Sequence, residues 1–181
     1  MTLLVDLYPE HSDLIKFGDQ VEWTWQCFVI AKQYCNNEDI VGWCGLDEYL
    51  TVILKEYSFL QIAKLHDRDK TFENANNSLE YYLQKYDLVN DPVVNSFKTG
   101  TNEFYTAICN ARKKTIAHSD LAAVQSNKIF GAFPDGADDD YFEGLHSVLE
   151  RLYEAAGIGE FSSWSKFVED DMEEFFSKIK S

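Results

Sequence analysis

Apolar side chains recur at spacings of three and four residues over long stretches of this 181-residue chain. Such spacing places them on one face of an α-helix, and only three prolines are present to interrupt the helices. No repeat, low-complexity segment or linker divides the chain. We therefore predict an all-α fold in a single domain over residues 1–181.

The pattern resolves into six helices with recognisable start signals. Their predicted ranges are about 12–36, 46–66, a short helix ending near 86, 91–118, 139–156 and 163–179. Ser12, Asn77 or Ser78, Asp91 and Ser162 or Ser163 are residue types that cap helix N-termini. Gly100 lies inside the fourth helix, where it indicates a bend or a close helix contact.

Two of these helices show broad apolar faces that we expect to be buried. In the first helix the candidates are Ile15, Trp23, Phe28, Ile30 and Ala31. In the second they are Tyr49, Leu50, Ile53, Leu54, Tyr57, Leu60 and Leu65.

Composition indicates a folded protein, because apolar residues make up 45% and aromatic residues 15% despite a net charge of −15. No run of about 18 uncharged apolar residues occurs, and the first residues lack the charge pattern of a signal peptide. We expect a cytoplasmic protein without membrane contact. The four cysteines show no Cys-x-x-Cys spacing, so we expect them to be reduced and mostly buried.

The charge is unevenly distributed along the chain. Residues 98–128 hold five basic side chains against two acidic ones, a balance of plus 3, so the remainder has a balance of minus 18. Residues 135–181 hold thirteen acids and four bases. An acidic protein repels DNA and membrane surfaces, but a polyanion that does bind would be steered to the basic segment.

Within the basic segment, Arg112 and His118 lie on or beside the inward face of the predicted helix. Phe97, Phe104, Ile108, Ala111, Thr115 and His118 form one seam, and Tyr105, Cys109, Arg112 and Ile116 form its neighbour. One interpretation is that His118 ends the helix and pairs with Asp120. The other is that Arg112 and His118 converge on a phosphate group.

Two stretches of the chain resemble a known family. The sequence ARKKTIAHSDL resembles the Arg, short gap, His motif of the HEPN superfamily, and in particular its U-type phage abortive-infection (AbiU-like) branch. The upstream sequence FLQIAKLHDRDKTFENANNSLEYYL is similar to that branch's helix ending in Leu-x-Asp and the Asn-Ser-Leu helix start that follows. The resemblance covers roughly residues 46–121.

The resemblance implies a bundle of four or five main helices plus short ones, which dimerises by facing its motif helices. It also implies metal-independent RNA cleavage without a cofactor, in phage defence beside a cognate antitoxin or another defence-system protein. His118 would then act as general acid or base, and Arg112 would stabilise charge on the phosphorane. Asp67 matches the branch's Asp and would support the site, or it pairs with a Lys or Arg side chain or caps the backbone.

The sequence departs from the family pattern at two positions. Lys113 follows the motif Arg, where active relatives usually have a polar, non-basic residue. Asp120 replaces a tyrosine that is adenylylated in some relatives, so we expect no such regulation here. Lys113 and Lys114 would contact flanking RNA phosphates or lie in solvent. A non-catalytic helical module that docks RNA or a protein on its basic stripe is therefore the alternative function.

The remaining polar patterns predict little chemistry. Glu143 and His146 have a di-metal spacing, but a single copy is too few ligands, so we expect no metal site. His11 and His66 lack companion ligands and are expected at the surface or at helix ends. The acidic final helix has a solvated face, or it shields the basic segment.

Overall fold

The computed structural model describes residues 3–37, 45–68, 70–71, 74–113, 132–162, 164 and 167–179. Within these ranges the protein is all-α, as predicted, apart from one pair of two-residue strands. The helices are α1 (Leu4–Leu7), α2 (Ser12–Cys35), α3 (Gly45–Leu65), α4 (Leu79–Lys85), α5 (Pro92–Gly100), α6 (Asn102–Ala111), α7 (Ala137–Ala156) and α8 (Phe167–Ile179). A 3-10 turn (Pro9–His11) precedes α2, and strands β1 (Lys70–Thr71) and β2 (Asn74–Ala75) pair antiparallel after α3.

Helix start signals were predictive at one position and misleading at others. The Asp91 carboxylate accepts a hydrogen bond from the Val93 amide at 2.8 Å and so caps α5, as predicted. Ser12 does not cap α2, because the preceding 3-10 turn already places it in helical conformation. Ser78 precedes α4, but its hydroxyl is buried without a hydrogen-bond partner in the described structure. Ser162 lies five residues before α8 begins and cannot cap it.

The predicted helix over residues 91–118 is two helices in the described region. α5 ends at Gly100 and α6 begins at Asn102, with Thr101 in a non-helical conformation (φ −105°, ψ 6°) between them. The Thr101 hydroxyl donates to the Phe97 carbonyl at 2.8 Å, so a side chain takes part in the bend that the glycine indicated. Residues 114–118 of the prediction lie outside the described residues.

The main core forms around α2, which packs against α3, α7 and α8, while α5 and α6 pack against α7. Fully enclosed side chains include Leu14, Phe17, Ile62, Leu65, Tyr82, Phe104, Ile108, Tyr141, Leu145 and Leu149. Each large apolar side chain removed from water stabilises the fold by about 1.5–3 kcal/mol before entropic costs. A second, smaller cluster joins Tyr34 and Met172, with Leu50 and Leu54 of α3 packed against them.

The apolar stripe predicted for the second helix is only partly in the core. Leu65 is fully buried, whereas Leu46, Tyr49, Val52, Ile53 and Tyr57 are 44–70% exposed. These five side chains, called here the α3 apolar face, follow helical spacing and point away from the core. Trp23 of α2 was also predicted to be buried and is half exposed.

Close packing of α5 on α7 depends on Gly144. A Cβ atom at this position would lie 2.8 Å from Cδ2 of Phe97, a distance that real Cβ contacts do not show. The missing side chain therefore lets the Phe97 ring sit directly against the α7 backbone.

Three cysteines fall in the described part of the chain, and all are free thiols. Cys27 is buried, and burial raises its pKa to about 11, whereas Cys35 and Cys109 are partly buried. The described helices include none with the length and apolar character needed to cross a membrane.

Candidate functional site

The two stretches that carry the family resemblance meet at an ion pair. Asp67 lies just beyond the end of α3, and Arg112 is the first residue after α6. Because α3 packs against α6, Nη1 of Arg112 donates to Oδ1 of Asp67 at 2.7 Å. Both side chains are about one-third exposed, so the pair stabilises the fold by at most about 1 kcal/mol. Its structural effect is to fix the direction of the guanidinium group.

The structure describes only part of the predicted motif. Lys113 is exposed, in agreement with a solvated or RNA-contacting side chain. Lys114, His118 and Asp120 lie outside the described residues. The predicted convergence of Arg112 and His118 therefore stays a prediction.

The side chains predicted to face inward along the motif helix are buried as far as Ala111. Phe97, Phe104, Ile108 and Ala111 are buried, and the exposed positions of α5 and α6 are mostly polar. The neighbouring seam, with Tyr105, Cys109 and Arg112, is partly buried and borders solvent. Arg112 therefore lies at the edge between the core and the surface, as the helical spacing predicted.

His66 lies next to this ion pair and directly follows the end of α3, as expected. Its Nε2 atom is 2.6 Å from the Tyr141 hydroxyl on α7, a partner that the sequence did not indicate. Aromatic rings of Tyr105, at 4.5 Å between centroids, and Phe97, at 6.3 Å, also surround it. Most of the imidazole is thus enclosed, and one edge reaches a cavity.

Burial holds His66 in its neutral form. Desolvation, with a smaller effect from the positive charge of Lys98, lowers the His66 pKa to about 4, although Asp67 opposes the change. Burial also raises the pKa of Tyr141 well above its usual value, so that hydroxyl keeps its proton. The arrangement in which Tyr141 donates to Nε2 leaves the His66 proton on Nδ1.

Tyr105 links His66 to the motif helix. It is half-buried one turn before Cys109 and two turns before Arg112. Burial, followed by a hydrogen bond with Cys109, raises the pKa of Tyr105, so its hydroxyl is neutral at physiological pH. Tyr105 therefore presents a neutral aromatic ring and a hydroxyl beside the cationic Arg112.

A cavity of about 330 Å³, called here the His66 cavity, opens between the end of α3 and the α5–α6 bend. Its lining residues are His66, Asp67, Arg68, Leu79, Glu80, Phe97, Lys98, Thr101, Asn102 and Tyr105. Lys98 pairs with Glu80 at 3.2 Å. The guanidinium of Arg68 has no ion-pair partner among the described residues. The cavity thus combines an apolar, aromatic wall with charged side chains of both signs, of which Arg68 is the unpaired cation among the described residues.

A larger cavity of about 520 Å³ lies between α2, α3 and the start of α7. Its lining includes Lys32, whose Nζ atom is 2.6 Å from Asp138 and 3.2 Å from Asp139. Two carboxylates therefore neutralise that cation within the fold. We place the candidate site at the smaller cavity, because it adjoins Arg112 and contains a buried imidazole.

The other histidines of the described chain have structural partners. His146 lies 3.2 Å from the Ser162 carbonyl and packs edge-on against Phe161 and Trp164. Its predicted metal spacing with Glu143 gains no further ligands, since the described residues contain no group of three or more metal-ligating side chains. His11 bonds the Tyr86 hydroxyl at 2.9 Å.

Sequence reasoning missed His66 and Tyr105 as site residues. Two signals were present: His66 directly precedes Asp67, and Tyr105 lies seven residues before Arg112, on the same helix face. The Tyr141 partner is 75 residues from His66 and had no local signal. Comparisons with protein-family models, with curated proteins and with solved structures find no significant match for this chain.

Proposed function

We propose that the chain is a metal-independent endoribonuclease of the HEPN type, acting in abortive-infection or toxin–antitoxin defence against phage. The observation that supports it best is the 2.7 Å contact between Arg112 and Asp67. These residues belong to two sequence stretches that resemble the same family and are 45 residues apart. Their direct pairing is the arrangement expected if both stretches serve one site.

In the proposed reaction, the 2′-hydroxyl of the RNA attacks the adjacent phosphorus atom and the 5′-oxygen leaves. Arg112 would stabilise the negative charge of the phosphorane, and Asp67 would hold the guanidinium in position. His118 would take the proton from the 2′-hydroxyl or deliver one to the leaving oxygen, an effect of about 10²–10⁴-fold. Lys113 and Lys114 would contact flanking phosphates.

The proposal includes a homodimer that faces its motif helices, over residues 97–118, since each chain supplies one motif histidine. The α3 apolar face is a different surface, and we propose that a second copy covers it as well. Its five side chains, 44–70% exposed, present roughly 500–600 Å² of surface per copy, estimated from typical side-chain areas. Two copies would bury roughly 1,100 Å², which is near the size at which interfaces become specific. A two-fold axis would let this face contact itself.

The proposed activity is tested by incubating the purified chain with transfer RNA and ribosomal RNA in EDTA. We expect cleavage to persist in the chelator and to disappear in His118→Ala. The products should end in 2′,3′-cyclic phosphate, because the attacking group is the adjacent hydroxyl. No cleavage of any of these RNAs by the folded protein would contradict the catalytic proposal.

The second candidate is a non-catalytic module that docks RNA or an acidic protein. The engagement of Arg112 by Asp67 and the exposure of Lys113 favour it, because the charge free to meet a partner then comes from the lysines. This candidate predicts that Lys113→Ala with Lys114→Ala weakens partner capture in a salt-dependent way. His118→Ala would change little. Loss of phage defence in folded His118→Ala alone would rule this candidate out.

A further inference from the structure

We propose that the His66 cavity binds one nucleotide of a single-stranded RNA, with the base on Tyr105 and the phosphate toward Arg68 and Arg112. The choice of RNA as ligand rests on the function proposed above. The cavity itself, its size and its lining are independent of that function. Four features of the described residues support the assignment.

The first feature is an aromatic wall. Tyr105 lines the cavity and is only half-buried, so part of its ring is open to a ligand. Phe97, which is 5% exposed, supports the wall from below. Bases of single-stranded RNA bind to proteins chiefly by stacking on such rings. An apolar wall of this kind selects a base rather than a phosphate alone.

The second feature is a hydrogen-bonding group fixed in that wall. His66 uses Nε2 for the Tyr141 hydroxyl, at 2.6 Å. Nδ1 has no hydrogen-bond partner among the described residues, and His66 lines the cavity. Nδ1 is therefore the ring nitrogen left for a ligand, as an N–H donor where Tyr141 donates to Nε2 and as an acceptor in the other tautomer, and a base edge offers groups for either. Tyr141 therefore orients His66 for recognition.

The third feature is local charge. Arg68 and Lys98 line the cavity against the two acids Asp67 and Glu80, so the lining is neutral in a chain whose net charge is −15. Lys98 pairs with Glu80, and Asp67 pairs with Arg112, which lies just outside the lining, so Arg68 is the lining cation without an ion-pair partner among the described residues. A phosphate approaching the protein would therefore meet less repulsion here than over the acidic surface, with Arg68 as the nearby cation.

The fourth feature is size. A volume of about 330 Å³ is at the lower end of the roughly 300–1,000 Å³ found for small-ligand pockets. It suits one base with its sugar and excludes a stacked or paired helix. The ligand is thus an unpaired nucleotide in a flexible strand.

Binding is measured by titration calorimetry with hexaadenylate RNA, 5′-AMP and inorganic phosphate, using the full chain with His118→Ala to prevent cleavage. Tyr105→Leu should weaken hexaadenylate binding by about 5- to 150-fold, the usual effect of removing one stacking ring. Tyr105→Phe should restore most of the affinity. His66→Gln, which can keep the bond to Tyr141 but lacks the second nitrogen, should weaken binding about two- to tenfold.

Matched controls are Trp23→Leu, at a half-exposed aromatic residue on α2, and His146→Gln beside Trp164. Each should bind hexaadenylate as the parent does, with an unchanged circular dichroism spectrum. The proposal is overturned if folded Tyr105→Leu binds with parental affinity. It is also overturned if inorganic phosphate binds as tightly as 5′-AMP, because the site would then recognise an anion without its base.

The two proposals can fail separately. Wild-type protein that cleaves no RNA, combined with hexaadenylate binding that depends on Tyr105, removes the ribonuclease function and keeps the nucleotide site. RNA cleavage by the wild type, combined with binding that is insensitive to Tyr105→Leu and His66→Gln, removes the nucleotide site and keeps the ribonuclease.

Discussion

The two halves of α3 reverse the usual relation between polarity and burial. Its first half exposes large apolar side chains, including Tyr49 and Ile53. Its second half buries polar ones, Ser58 and Gln61, beside Ile62, and leads directly to His66. Apolar surface left in water costs about 25 cal/mol per Å², and buried polar groups are costly unless they are paired.

The difference indicates that the two ends of one helix serve different purposes. The first half has a surface that another molecule would stabilise by covering it. The second half leads to His66 and Asp67, polar residues that line the His66 cavity together with Arg68, and such a setting is typical of ligand sites. We therefore expect substitutions in the first half to change assembly, and substitutions in and beside the second half to change stability and the activity of the site.

The largest contrast should appear in stability. Ile62→Ala removes a fully buried side chain and should lower the free energy of unfolding by about 2–5 kcal/mol. Ile53→Ala, at a site 57% exposed, should change it by about 0.5 kcal/mol or less in the monomer. Urea unfolding at a concentration where the chain is monomeric measures both. Equal losses at the two positions would mean that the first half is also core.

Arg112 follows α6 and pairs with Asp67 at the site end of α3. Arg112→Ala should lower the single-turnover rate of RNA cleavage about 10²–10³-fold, the usual effect of removing a group that stabilises transition-state charge. Arg151→Ala is the matched control, because Arg151 pairs with Asp91 at 3.1 Å and is similarly exposed. We expect the control to keep the parental cleavage rate once its stability is accounted for. Similar losses in both variants would indicate a general effect of breaking an ion pair.

His66 should make stability depend on pH. Its pKa is about 4 in the folded protein and near 6.5 unfolded, so between these values the unfolded chain binds more protons. Stability should therefore fall as pH drops from 6.5 toward 4, by at most roughly 3 kcal/mol.

Urea unfolding between pH 5 and 7 measures this slope, with His66→Gln as the comparison, since that variant should show a flatter profile. Asp67 and Lys98 are the charged groups that face His66, and the raised pKa values of Tyr105 and Tyr141 keep both hydroxyls neutral. A slope that is unchanged in His66→Gln would place the titrating group elsewhere.

The smallest expected effect concerns assembly through the first half of α3. Tyr49→Ala should weaken the proposed homodimer by at least about tenfold, or about 1.4 kcal/mol. Sedimentation across a concentration series measures the dissociation constant. Trp23→Ala is the control, because Trp23 is half exposed but lies on α2. A chain that stays monomeric at high micromolar concentration would refute the homodimer itself.

Sequence reasoning predicted which residues form helices better than which way the helices face. Helical spacing located α2, α3 and α7 to within a few residues, because periodicity is a local property. It grouped Tyr49 with Leu65 as core, since spacing shows which side chains share a face but not whether that face meets another helix. The outcome at α3 depended on contacts with α2 and α6.

The candidate site shows the same limit. Arg112 and Asp67 were identified from local motifs, and their pairing followed from the packing of α3 on α6. Adjacency to Asp67 was the sequence signal for His66, but its burial had no local signal, because its partner Tyr141 comes from α7 and its ring neighbours come from α5 and α6. The surroundings of His66 thus depend on how three other helices pack around the end of α3.

The missing side chain at Gly144 has a consequence for the depth of the His66 cavity. Phe97 rests against the α7 backbone there and also forms part of the cavity wall. A methyl group at position 144 would displace the Phe97 ring and so change the wall of the cavity. Gly144 does not line the cavity, yet its lack of a side chain sets the position of Phe97 and with it the volume open to a ligand.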